Sequence, residues 1–192
     1  MRKLKTLFVL IVLLLLGCSA AMVPYTSDPS KKLDQAYALM DAGRPLPAEN
    51  LIDEALAIYQ KEGNEIGMAE AYHAYGNLYK TNVYYTFPRV SERRVKTKEE
   101  AVGYFQKALD LYVKNNDYIG VAKCQFGMGQ VYWVVGKKTE ACTTLDESLA
   151  SYNKAKERDP SARMPFRTQE TEFSKVIQYT KEGVGCDAVD KK

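Results

Sequence analysis

The sequence predicts an all-α chain: about three stacked helix pairs, closed by one further helix at the C-terminal end. Three observations carry that expectation. Segments Ala48–Tyr59, Glu100–Tyr112 and Glu140–Tyr152 each place a small residue, a bulky apolar one, another small one and a tyrosine at offsets of four, three and four. The sets are Ala48/Ile52/Ala55/Tyr59, Ala101/Phe105/Ala108/Tyr112 and Ala141/Leu145/Ser148/Tyr152, and that spacing puts all four side chains on one stripe of a helix. Upstream of the second and third sets runs another shared pattern, Tyr72-x-x-Tyr75-Gly76-x-x-Tyr79 and Gln125-x-x-Met128-Gly129-x-x-Tyr132. Finally, none of the seven prolines falls inside a predicted helix interior, where the missing N–H would break the ladder.

The first element is an address. Arg2, Lys3 and Lys5 precede an unbroken apolar run, Leu7–Leu16, and then small residues, the layout of a secretory signal. Ten residues span about 15 Å as a helix, short of the ~30 Å hydrocarbon core. The run ends Leu15-Leu16-Gly17-Cys18, which resembles the bacterial lipobox. The resemblance implies cleavage after residue 17 and a diacylglyceryl and acyl (palmitate-type) lipid on Cys18. The alternative is an ordinary cleaved signal in which Cys18 is incidental. Ser19 after the cysteine implies, by likeness to lipoprotein sorting, the outer membrane. Residues 18–29 read as a lipidated tether, in which Ser19–Pro29, with two prolines and no helical period, reaches at most ~36 Å.

Helices are expected near 30–41, 47–61, 65–82, 98–114, 117–135, 138–157 and 167–182. Pro47 suits the first turn of the second, and Thr97 followed by Glu100 reads as a capping box for the fourth. Together the two patterns resemble the tetratricopeptide repeat, W-x₂-L-G-x₂-Y followed by A-x₃-F-x₂-A. Gly76 and Gly129 stand at its glycine, where helices cross too closely for a β-carbon. Ala36 and Leu39 occupy the glycine and tyrosine positions of a weaker first repeat. Gly43 and Gly136 match at the turns within pairs. Gly63-Asn64-Glu65-Ile66-Gly67 and Asn116-Asp117-Tyr118-Ile119-Gly120 match between pairs, as in longer-period members. The resemblance covers about residues 31–155 and implies a right-handed solenoid over residues 30–184, with residues 185–192 as a tail. The last helix carries Phe173, Val176, Ile177 and Thr180 on one side. It reads as the cap that a solenoid needs over its open end, rather than a helix lying on the membrane.

Charge narrows the function. The chain has 27 basic and 24 acidic residues, but three bases and no acid precede Cys18. From Cys18 onward it is neutral, which disfavours nucleic-acid binding. Four cysteines and one histidine do not suggest a metal site. No Gly-x-Ser-x-Gly, glycine-rich phosphate loop or His-Glu-x-x-His is present, so no catalytic residue, cofactor or small-molecule substrate is expected. Export implies a compartment in which disulfides persist. Antiparallel helices joined around residues 158–166 bring Cys142 and Cys186 to the same end, and a bridge is expected there, with Cys124 a small buried residue.

Family positions imply a groove lined by Glu70, His73, Asn77 and Lys80 from repeat two and Lys123, Phe126, Gln130 and Trp133 from repeat three. For His73 a groove contact is expected over simple exposure, and for Trp133 packing against the scaffold is the rival reading. Repeat two also holds an insertion, Thr81–Thr97, with Tyr84, Tyr85, Phe87, Arg89, Arg93 and Arg94. Aromatics and arginines dominate interface energetics, so the insertion is a second candidate surface. A longer helix pair with packed rings is equally expected, and anionic lipid or glycan contact is a third reading. The resulting expectation is a non-enzymatic adaptor or assembly factor, lipid-anchored in the bacterial outer membrane and facing the periplasm. Its partner would be an envelope protein or peptide. A periplasmic immunity or inhibitor protein, binding a toxic enzyme, is the alternative.

Overall fold

The computed structural model describes residues 24–81, 98–165 and 172–186. The described chain is all-α, with seven helices and no strand: α1 (Pro29–Asp41), α2 (Pro45–Glu62), α3 (Glu65–Lys80), α4 (Lys98–Lys114), α5 (Tyr118–Val134), α6 (Lys138–Arg158) and α7 (Phe173–Val184). Helices adjacent in sequence pack on one another, α1 also touches α3, and α3 touches α5.

Local chemistry sets the helix ends. Asp28 caps α1 by accepting from the Ser30 and Lys31 N–H groups at 2.9 and 3.4 Å, and Pro29 fills the first position, where no N–H is needed. The helix expected from Pro47 begins two residues earlier, because Pro45 takes that first position and Pro47 falls within the same turn. Four helices then end in one way. Gly43, Gly63, Asn116 and Gly136 are left-handed, with φ of 68°, 66°, 58° and 80°. The next N–H in each case reaches back five residues, from Arg44 to Leu39, Asn64 to Tyr59, Asp117 to Tyr112 and Lys137 to Tyr132, at 2.8–2.9 Å. This satisfies carbonyls that the helix end would otherwise orphan. The two connectors between pairs go further. Asn64 and Asp117 accept from the N–H of Gly67 and Gly120 at 2.8 and 2.9 Å, so one short motif ends one helix and caps the next. Thr97, expected to cap α4, lies outside the described residues.

Packing follows the repeated stripes. Ala48, Ile52, Ala55, Ala101, Phe105, Ala108, Tyr112, Ala141 and Leu145 are inaccessible to solvent. Their large members press on glycines of the leading helices. A β-carbon built on Gly76 would lie 2.6 Å from the Phe105 ring, one on Gly127 2.5 Å from the same ring, and one on Gly129 3.0 Å from Leu145. Gly67 and Gly120 receive Tyr59 and Tyr112 in the same way.

One apolar core runs from Leu33 of α1 to Val131 of α5. A second joins Ala122, Ala141 and Leu145 to Phe173, Ile177, Val184 and Cys186. The last helix, expected over 167–182, is described from Phe173 and continues to Val184, where Gly185 turns left-handed; residues 167–171 lie outside the described residues. Cys142 and Cys186 are joined, with sulfurs 2.09 Å and α-carbons 5.7 Å apart. Closing 44 residues restricts the unfolded chain by about 4 kcal/mol in the loop-entropy treatment.

Phe105→Ala is expected to cost about 3–5 kcal/mol, since its ring is fully enclosed. Gly76→Ala is expected to cost about 1–3 kcal/mol by driving a methyl into that ring. Urea unfolding should show the double variant Gly76→Ala/Phe105→Leu losing less than the two single losses combined, because leucine vacates the space the methyl needs.

Candidate functional site

The positions expected to line the groove recur every three or four residues, so each set occupies one face of its helix. The structure brings most of them together as a polar seam between α3 and α5. Glu70 accepts twice from Lys123 Nζ, at 2.7 and 2.8 Å. Lys80 Nζ donates to Gln130 Oε1 at 2.7 Å. Asn77 Nδ2 donates to the His73 carbonyl at 3.1 Å and lies 3.2 Å from both ring nitrogens. Tyr37 of α1 completes the seam, its hydroxyl 3.0 Å from His73 Nδ1.

His73 is 8% exposed, and its ring centroid sits 5.5 Å from that of Phe105. Burial, followed by the positive charges of Lys123 and Lys80, holds its pKa well below 6.5, so the imidazole is neutral at pH 7. Burial, then the Glu70 charge, raises the Tyr37 phenol far above its ordinary value. A phenol that keeps its proton beside a neutral imidazole suits Tyr37 as donor and Nδ1 as acceptor. Lys80 is pushed down to about 8 by burial. Its ammonium lies 5.9 Å from the Phe105 ring centroid and makes no ion pair among the described residues.

The other two expected groove residues diverge from the seam. Phe126 turns against Phe173 of α7, with 6.2 Å between centroids, and joins the second core. Trp133 is 47% exposed and borders α7, its ring 3.8 Å from where a β-carbon on Gly183 would lie. Cys124 is buried and unpaired, and desolvation lifts its thiol well above the ordinary range, which leaves it unreactive. Cys18 and the insertion residues Tyr84, Tyr85, Phe87, Arg89, Arg93 and Arg94 lie outside the described residues.

Tyr37 is absent from the groove set expected from the sequence. The signal for it exists: setting Ala36 against Gly76 and Gly129 puts Tyr37 in register with Asn77 and Gln130. Across α2 and α3, Tyr79 donates to buried Glu49 at 2.6 Å and Tyr75 donates to Asp53. These bonds also escaped a reading based on apolar stripes.

Chemically, the seam is a set of amide, ammonium, carboxylate and phenol groups, half-buried or buried, that hydrogen-bond with one another. Among the described residues, no group of three or more His, Cys, Asp or Glu could hold a metal ion. No described helix is long and apolar enough to cross a membrane. No known protein family, curated protein or solved structure matches the chain.

Two pH dependences follow. Unfolded His73 takes up a proton near 6.5 and the folded residue does so well below that. Stability should therefore fall as pH drops below about 6.5, by up to about 1.4 kcal/mol per unit, and His73→Gln should flatten that part of the urea-midpoint profile. For Lys80 the unfolded state binds the extra proton between about 8 and 10.5, so stability should rise with pH across that window. Carbon-13 NMR of the lysine ε-carbons should show a titration near pH 8 that disappears in Lys80→Gln.

Proposed function

We propose that this chain is a lipid-anchored, non-enzymatic adaptor of the bacterial cell envelope, its helices forming a tetratricopeptide-like, right-handed solenoid. The observation that carries the reading is the seam. Tyr37, Glu70, His73, Asn77, Lys80, Lys123 and Gln130 come from three leading helices, and the contacts α1–α3 and α3–α5 join them along a single line. A surface made by successive repeats suits a protein segment, which meets several repeats at once. The repeated connectors and the glycine contacts support the solenoid assignment.

The start of the sequence supports the anchor. A charged end, a short apolar run and Leu15-Leu16-Gly17-Cys18 fit a lipoprotein signal, and more than one acyl chain on Cys18 would give stable membrane attachment. The short tether then keeps the helices near the outer-membrane surface, facing the periplasm. The partner is an envelope protein or peptide, gripped by the seam, by Trp133 and by the aromatic and arginine residues of the insertion.

Cys18→Ala should move the protein from the membrane to the soluble fraction of its own cells, and unchanged sedimentation with membranes would refute the anchor. A photo-crosslinking side chain at residue 77 or 133 should capture the same envelope partner. Asn77→Arg should reduce that capture at least fivefold with helical circular dichroism unchanged. Capture of equal strength from a control position such as 153, on α6, would defeat the seam as the docking surface.

A further inference from the structure

We propose that the Cys142–Cys186 bond is a redox latch on the C-terminal helix: a dithiol reductant that opens it frees α7 and uncovers the end of the helical array, while α1 to α6 stay folded.

The second core sets α7 apart. Its principal contacts are with α6, and the side chains it buries are Phe173, Ile177 and Val184, followed by Cys186. A helix of twelve residues is marginal without tertiary support. Its ion pair with the body, Lys181 to Asp146 at 2.7 Å, is exposed on the aspartate side and holds little. The disulfide adds to these contacts a covalent tie between the end of α7 and α6. Beneath the helix lie Phe126, Leu145, Leu149 and Tyr152, a connected apolar surface that α7 keeps from water.

The surroundings of the bond favour exchange. Lys138 stands one turn before Cys142 on α6, and its ammonium rests against Gly185, 3.1 Å from where a β-carbon would be. No ion pair engages Lys138 among the described residues. A cation beside a disulfide favours the thiolate that leaves when the bond is cut. Cys142 is half-buried and Cys186 is buried, so attack falls on the Cys142 sulfur. A thiolate of the dithiol bonds to that sulfur, the S–S bond breaks, and its electron pair leaves on Cys186, which takes a proton from water. The second thiol of the reductant, as thiolate, then displaces Cys142 from the mixed disulfide. The dithiol ends as a disulfide, and the chain has gained two electrons and two protons.

Hydrogen exchange of the full chain, oxidised and after dithiothreitol with the thiols counted by alkylation, tests the latch. Reduction should speed exchange across residues 173–184 at least a hundredfold and create binding of the apolar dye bis-ANS. Protection in α1 to α6 should change less than threefold. Cys142→Ser/Cys186→Ser should behave as the reduced chain does. Lys138→Gln should slow reduction at least threefold without changing protection in the oxidised chain. Unchanged protection of α7 after reduction, or loss of protection throughout the chain together with α7, would overturn the latch. An unaltered reduction rate in Lys138→Gln would overturn the part given to the lysine.

Discussion

The ring of Phe105 is the point on which both fold and candidate site depend. It comes from α4 and presses on Gly76 of α3 and Gly127 of α5 at distances that leave no room for a β-carbon at either. One side chain thereby fixes how closely two leading helices approach. Because protein interiors are close-packed, that spacing cannot drift without opening a void or a clash. The spacing in turn lets Lys123 reach Glu70 and Lys80 reach Gln130, hydrogen bonds that tolerate little change in length. The same ring lies against His73 and Lys80. The apolar wedge and the polar seam are two sides of one contact.

Much of the fold was legible because its signals are local. Stripes of small and bulky residues, turn glycines at matching places and Asx residues ahead of Gly67 and Gly120 each act within a few residues, and helix formation reads them there. The miss at Pro45 is of the same local kind: two prolines competed for one helix start, and the earlier one took it. The site was less legible, since helical spacing tells which face a side chain occupies and not what it meets. Glu70, Lys123, Lys80 and Gln130 face the expected way, yet their pairing depends on the α3–α5 distance that Phe105 sets. Phe126 shows the limit most clearly. Its helical position matches its neighbours, and its environment is decided by α7, a helix some fifty residues further along the chain. The disulfide was readable for the opposite reason: helix lengths and one turn suffice to bring Cys142 and Cys186 to the same end.

The third repeat shows how departures from the pattern are absorbed. Where the first two stripes carry Ala55 and Ala108, the third has Ser148, wholly buried. An unpaired hydroxyl there would be costly, and it donates instead to the Ala122 carbonyl at 2.7 Å. Leu145 stands where the second stripe has Phe105 and lies 3.0 Å from where a β-carbon on Gly129 would be, a looser fit than Phe105 makes with Gly76. A smaller wedge fills less space and leaves more apolar surface of α5 and α6 to be covered. The rings of Phe126 and Tyr152 take up part of that surface by packing on Phe173, at 6.2 and 4.9 Å between centroids. The last helix pair thus shares its core with one further helix, α7. That helix is short, so a covalent bond at its far end is a physically economical way of holding it in place.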